Sequence, residues 1–130
     1  MKAGTFQKTL STAALLVGTA LASANSATAT GLVGDAVRGK ALYQACASCH
    51  SVDENDIGPK HRGVFGRRAG SVADYSYSAA LRVSGLTWDV STLDRWLTNP
   101  SQLVPGTKMY FKIDDAQKRA DVIAYLEQLK

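Results

Sequence analysis

The run Cys46-Ala47-Ser48-Cys49-His50 constrains this 130-residue chain more than any other feature. Two thiols three apart are followed directly by an imidazole. On a helical turn of ~100° per residue, the three side chains project at roughly 0°, 300° and 40° and so share one face. Two thiols so placed can add to the vinyl groups along one edge of a haem, while the imidazole reaches the iron from beneath. The pattern is the attachment signature of a c-type haem. Two other chemistries use similar residues. A Cys-x-x-Cys redox or structural disulfide usually opens the first helix of a βαβ unit, and no such alternation is present. A zinc site needs four ligands. The Cys and His residues of the chain are Cys46, Cys49, His50 and His61, and adjacent Cys49 and His50 are awkward partners on one tetrahedral ion.

The first 29 residues read as a secretory signal peptide rather than as part of a fold. Lys2 and Lys8 form a positive start with no acid nearby. Leu10 to Ala22 is a short apolar run, and Ala22-Ser23-Ala24 and Ala27-Thr28-Ala29 offer cleavage after Ala24 or Ala29. A permanent membrane anchor would need about 20 apolar residues, and this run is shorter. Residues 30–130 then form one small domain. A chain this short has little apolar side chain to bury on its own, and a large apolar cofactor at its centre supplies what is missing. Export to the periplasm fits, because haem is coupled to thiols outside the bacterial cytoplasm. The formal charge of +4 drops to +2 without Lys2 and Lys8. That mild balance, with no interleaving of aromatic and basic residues, excludes nucleic-acid binding.

Along the mature chain the pattern is helical. Asp35 is the expected cap of a first helix reaching about Ala47, with Val37, Ala41 and Tyr43 as its apolar contacts. Gly39 lies inside it, and an interior Gly costs about 1 kcal/mol, so close approach of another helix is expected there. Gly58-Pro59 opens an irregular stretch through Gly63, Gly66 and Gly70, suited to a loop packed on something large. The Pro59 carbonyl is placed to accept a hydrogen bond from His50 Nδ1, which would fix the imidazole tautomer. Tyr75 to Leu81 reads as a short helix or turn. Asp89 or Ser91 caps a helix ending near Thr98, with Leu93, Trp96 and Leu97 inward, and Asn99-Pro100 stops it. Asp114 with Gln117 three later resembles a capping box. The last helix runs to about Leu129 on a stripe of Val122, Tyr125, Leu126 and Leu129, with Tyr125 the partner for the notch at Gly39.

The far face of the iron decides the chemistry. Met109 is the one methionine of the mature chain and lies on the Pro105-Gly106 loop, 59 residues after His50, far enough to wrap round the ring. Its soft thioether would favour ferrous iron and raise the potential. His61 is the rival, giving bis-His ligation. It follows His50 by only 11 residues and is expected as a surface or edge residue. An open site would need a distal acid–base pair, and none stands out.

Taken in order, further motifs carry a resemblance. They are Gly39 and Tyr43, Gly58-Pro59, Gly63-Val64-Phe65-Gly66-Arg67, Tyr75-Ser76-Tyr77-Ser78-Ala79 and Gly85-Leu86-Thr87-Trp88. Leu97-Thr98-Asn99-Pro100, Pro105-Gly106-Thr107-Lys108-Met109 and Ile123-Ala124-Tyr125-Leu126 complete the set. From about Gly34 to Leu126 the chain resembles the class I c-type cytochromes, the soluble mitochondrial and bacterial cytochrome c family. The resemblance implies an all-α cytochrome c fold, with three main helices and long loops wrapped around one covalently bound haem c. It implies thioethers at Cys46 and Cys49, axial ligands His50 and Met109, and Pro59 as the acceptor for His50. Arg67, Tyr77 and Trp88 would surround a haem propionate, and Asn99 and Thr107 would steady the Met109 loop. The chain departs from the family at Lys60-His61-Arg62, where an apolar residue and then His are common, and at Leu81 and Trp96.

The implied function is single-electron transport in the periplasm, without substrate turnover, by a monomer that meets redox partner proteins at a basic surface around the haem edge. Lys60, Arg62, Arg67, Arg68, Arg82, Lys108 and Lys112 are the cations available for that surface. A small haem peroxidase or gas binder, and a haem-free thiol–disulfide module, are the competing functions.

Overall fold

The structure, a computed structural model, describes Gly4 and residues 31–130; the expected signal peptide, 1–29, lies outside the described residues apart from Gly4. Its frame is a pair of crossed terminal helices. Helix α1 (Ala36–Leu42) is capped by Asp35, whose carboxylate accepts the Val37 and Arg38 N–H groups. Helix α5 (Ala116–Gln128) crosses it closely at Gly39. A Cβ on Gly39 would stand 1.9 Å from the Asp121 carbonyl oxygen and 2.9 Å from Tyr125 Cβ. Only a residue without a side chain permits that approach.

This contact decides which side of α1 is buried. Gly39, Leu42 and Tyr43 share one face at i, i+3 and i+4, and Gly39 and Tyr43 are buried. Val37 and Ala41, expected as core contacts, lie about 200° round the helix from Gly39 and are exposed. The helix is also shorter than the expected run to Ala47. It tightens into a 3₁₀ turn at Tyr43–Ala45. One further turn then carries the Cys-x-x-Cys-His run, with Cys49 N–H and His50 N–H both donating to the Cys46 carbonyl at 3.0 and 2.9 Å.

Asp121 is buried on α5, its side chain only 3% exposed, and binds α1 through several groups. Arg38 Nε and Nη2 donate to its two oxygens at 2.8 and 2.9 Å, and the Asp35 N–H donates at 2.8 Å. The cap of α5 is Asp115, which accepts from the Lys118 N–H at 2.8 Å, and not Asp114. Gln117 closes no box; its amide reaches the Val33 carbonyl and Asp121, each at 2.9 Å.

Helix α3 (Val90–Thr98) begins with Asp89 and Thr92 in a reciprocal capping box and turns Leu93, Trp96 and Leu97 into the core, where it packs on α5. Asn99 ends it, and Pro100 opens another helical turn, α4 (Pro100–Leu103), with the Asn99 side chain accepting from the Gln102 N–H. Helix α2 (Ala79–Val83) is a short turn capped by Ser78. Among the described residues there are no strands, only one isolated bridge between Arg68 and Thr87. The fold is therefore all-α, with long loops between Ala45 and Ala79 and before α5 enclosing an interior cavity.

Candidate haem site

The cavity measures about 430 Å³ and is walled by residues between Ala45 and Leu126. Cys46, Cys49 and His50 lie on one side. Leu81, Trp88, Trp96, Leu97, Val122 and Leu126 supply apolar lining, and Thr107 and Met109 come from the loop before α5. Arg67 and Tyr77 also line it. Ile57, Tyr110 and Phe111 combine cavity contact with surface exposure and so mark its mouth.

His50 is held firmly. Its Nδ1 lies 2.7 Å from the Pro59 carbonyl, which can only accept, so Nδ1 carries the proton and Nε2 keeps its lone pair. Gly58 lies against the same ring: a Cβ there would fall 2.3 Å from His50 Cε1. Burial lowers the His50 pKa, partly opposed by the Pro59 bond, which favours the neutral ligand form. Burial likewise pushes the Cys46 thiol up to about 11, with Cys49 adding to the effect. Cys46 is therefore an uncharged S–H, the group that adds across a vinyl double bond to leave a thioether.

His61 is not the surface or edge residue expected from the sequence. Its ring lies parallel to His50, with centroids 4.0 Å apart and planes 20° apart, and it lines the cavity. The Tyr43 hydroxyl and His61 Nδ1 share a hydrogen bond at 2.9 Å. Burial, followed by the neighbouring His50 and Arg67, lowers the His61 pKa to about 3, and burial raises that of Tyr43 to about 12. The pair is thus a neutral imidazole and a protonated phenol. A ring stacked face to face on His50 stands beside it. Two axial ligands on opposite faces would instead point their nitrogens at one another across the iron.

The remaining sequence candidates separate. Arg67 turns inward and donates to the Lys60 carbonyl at 2.8 Å and the Arg62 carbonyl at 3.0 Å, tying down the glycine-rich loop. Trp88 is set beside it by main-chain bonds, Trp88 N–H to Arg67 O at 2.9 Å and Gly66 N–H to Trp88 O at 2.7 Å. Tyr77 is buried on the same wall. Thr107 is buried, and its Oγ1 accepts from the Met109 N–H at 3.4 Å. Lys108 Nζ reaches the Ser76 carbonyl at 2.9 Å, and Ile113 N–H the Leu97 carbonyl at 2.7 Å. Both bonds fasten the Met109 loop. Asn99 does not line the cavity; it serves as the cap of α4. Among the described residues, no group of three or more His, Cys, Asp and Glu could hold a metal ion by itself.

The family model for cytochrome c matches residues 36–130. The chain is 45% identical over 115 residues to cytochrome c2 of Rhodomicrobium vannielii, covering 85% of this chain and 90% of that one. It is a class I c-type cytochrome. Cytochrome c of Nigella damascena is 39% identical over 100 residues, covering 73% of this chain and 90% of its own. Among solved structures, cytochrome cH from Methylobacterium extorquens is similar with a TM-score of 0.71 and 46% identity, over 73% of this chain and 99% of that one. Ferricytochrome c2 from Rhodopseudomonas palustris gives 0.69 and 37%, over 74% and 99%. As a member of this family the cytochrome carries electrons through one covalently bound haem c, works with redox partner proteins and is not an enzyme.

The residues present fit that group. Both thiols stand on the cavity wall, the imidazole with its free Nε2 faces the same space, and the lining is largely apolar. Cys46 and Cys49 would hold the haem by thioethers. The haem supplies a one-electron ferric/ferrous couple, and the chain's part is to shield it from water and hold its ligands still.

Two contacts carry no sequence signal. Asp121, outside the cavity wall, joins α5 to α1. The Tyr43–His61 bond joins residues 18 apart, with no motif to announce it.

Proposed function

We propose that this cytochrome is a periplasmic shuttle for single electrons, its iron held by His50 and Met109. The observation that carries the ligation is the position of Met109. It lines the cavity that also contains His50, Cys46 and Cys49, on a loop fastened by Thr107, Lys108 and Ile113. His61, the other candidate, stands beside His50. Six-coordinate iron with two protein ligands rearranges little between oxidation states, which suits a carrier. The N-terminal segment, with its basic start, apolar run and Ala22-Ser23-Ala24 and Ala27-Thr28-Ala29 sites, supports export.

Partner docking at a basic surface follows the same reading. Of the candidate cations, Arg62 pairs with Asp53, and Lys112 lies 3.8 Å from Asp114. Arg67 is turned inward. That leaves Lys60, Arg68, Arg82 and Lys108 without a carboxylate within 4.0 Å among the described residues, and Lys108 stands at the cavity wall.

The test is the optical spectrum of protein purified from the periplasmic fraction, oxidised and reduced, beside that of Met109→Ala. The ferric protein should show the weak far-red sulfur-to-iron band and the variant should lose it. The variant's potential should fall by on the order of 0.1 V, within the roughly 0.8 V that axial ligands span. A band that survives in Met109→Ala, or carbon monoxide binding to the ferrous native protein at neutral pH, would remove Met109 from the iron.

A further inference from the structure

His50 is fixed at one point by its Nδ1–H bond to Pro59. One hydrogen bond constrains an axis, and the ring can still rock about it. What limits that rotation is surface packed on the ring: the Gly58 backbone, where an added Cβ would fall 2.3 Å from His50 Cε1, and the ring of His61, parallel at 4.0 Å. The terminal ring torsion of a histidine is broad and does not orient itself. Here the Tyr43 hydroxyl fixes it at Nδ1, and the backbone is pinned by His61 N–H to Ser51 O at 3.0 Å and Arg62 N–H to Val52 O at 2.7 Å. Tyr43 is itself only 4% exposed, packed at 5.1 Å on the Tyr125 ring where α1 crosses α5. A continuous series of rigid contacts therefore runs from the helix crossing through Tyr43 and His61 to His50. An aliphatic side chain at position 61 could fill the same space, but Tyr43 could not orient it.

We infer that His61 is a positioning residue: held by the Tyr43 hydroxyl, it sets the rotation of the His50 imidazole about its bond to iron. The inference rests on His50 being the iron ligand. The plane of an axial imidazole directs the half-filled iron orbital of low-spin ferric haem, and so governs how unpaired spin spreads over the four pyrroles. The pattern of haem ring-methyl resonances in the ferric protein reports that plane directly.

The experiment compares proton NMR spectra of ferric holoprotein in the native form, Tyr43→Phe, His61→Leu and the double variant. Tyr43→Phe keeps the ring that packs on Tyr125 and loses only the hydroxyl, so the fold is retained. It should shift the spacing or order of the four methyl resonances. His61→Leu should also shift them, and Tyr43→Phe should add nothing in the His61→Leu background. Native-like methyl patterns in Tyr43→Phe and His61→Leu, with His50 ring protons still strongly displaced by the iron, would overturn the positioning role and leave the ligand in place. An equal effect of Tyr43→Phe with and without His61 would overturn it too, since the influence would then pass through the packing of Tyr43. Native His50 ring protons undisplaced by the iron would overturn both the ligand and its positioning.

Discussion

Replacing Gly39 by Ala tests the helix crossing on which the cavity is built. In an unencumbered helix this change stabilises by about 1 kcal/mol. Here the new Cβ would stand 1.9 Å from the Asp121 carbonyl oxygen and 2.6 Å from its carbon. Ordinary contact begins at 3.4 Å, so the two helices must part by about 1.5 Å. The obstacle is main chain within a helix, which cannot rotate away as a side chain would. Overpacking of this kind costs typically about 1–3 kcal/mol, occasionally more, and a backbone obstacle puts it at or beyond the upper end. Against the propensity gain, the net loss is about 2 kcal/mol. For a domain of about 100 residues that lowers Tm by roughly 8–16 °C. Thermal melts of ferric holoprotein followed by far-UV circular dichroism measure it. A variant that melts at or above the native temperature would refute the reasoning, because propensity would have outweighed the clash.

Asp121 and Lys108 carry two further predictions. Arg38 first, then the Asp35 N–H, hold the Asp121 carboxyl well below the ordinary carboxylate range. Its contribution is therefore complete above the unfolded pKa of about 3.9 and is lost as pH falls below that toward the folded value. Asp121→Asn should melt lower at pH 7 and show a flatter decline in Tm between about pH 4 and 2.5 than the native protein; parallel declines would refute the role. Lys108→Gln removes one charge at the cavity wall while keeping a donor for the Ser76 carbonyl. At 0.01 M salt, where the Debye length is about 30 Å, oxidation of the ferrous protein by hexacyanoferrate(III) should slow by roughly two-fold, with little difference at 0.15 M. Identical rates at low salt would remove Lys108 from the basic surface.

Some of this molecule can be read from residue order. A local device needs only its neighbours, so a cap at Asp89 or Ser91 and the Leu93, Trp96 and Leu97 face could be read from spacing, and the structure uses Asp89. Gly39 announced a close approach because nothing else justifies a glycine there. Other details turned on a competition that spacing does not record. Asp114 and Asp115 are adjacent candidates for one cap, and the helix begins where Asp115 can accept from Lys118. Val37 looked like a core residue until the Gly39 contact set the rotation of α1 and turned it outward. His61 stood out only as a rival ligand and a departure from the family; its place between Tyr43 and His50 could not be read, since the fold alone brings those partners to it.

By itself the sequence determined the kind of cofactor, its attachment residues and the all-α pattern, because a Cys-x-x-Cys-His run and helical periodicity are local and need no distant partner. It could not determine how the cavity wall and the helix crossing are built. That His61 stacks on His50, that Asp121 joins the terminal helices and that Asn99 serves a helix rather than the cavity were all decided by the tertiary structure. Each depends on where segments tens of residues apart come to rest against one another, and chain order records no such distance.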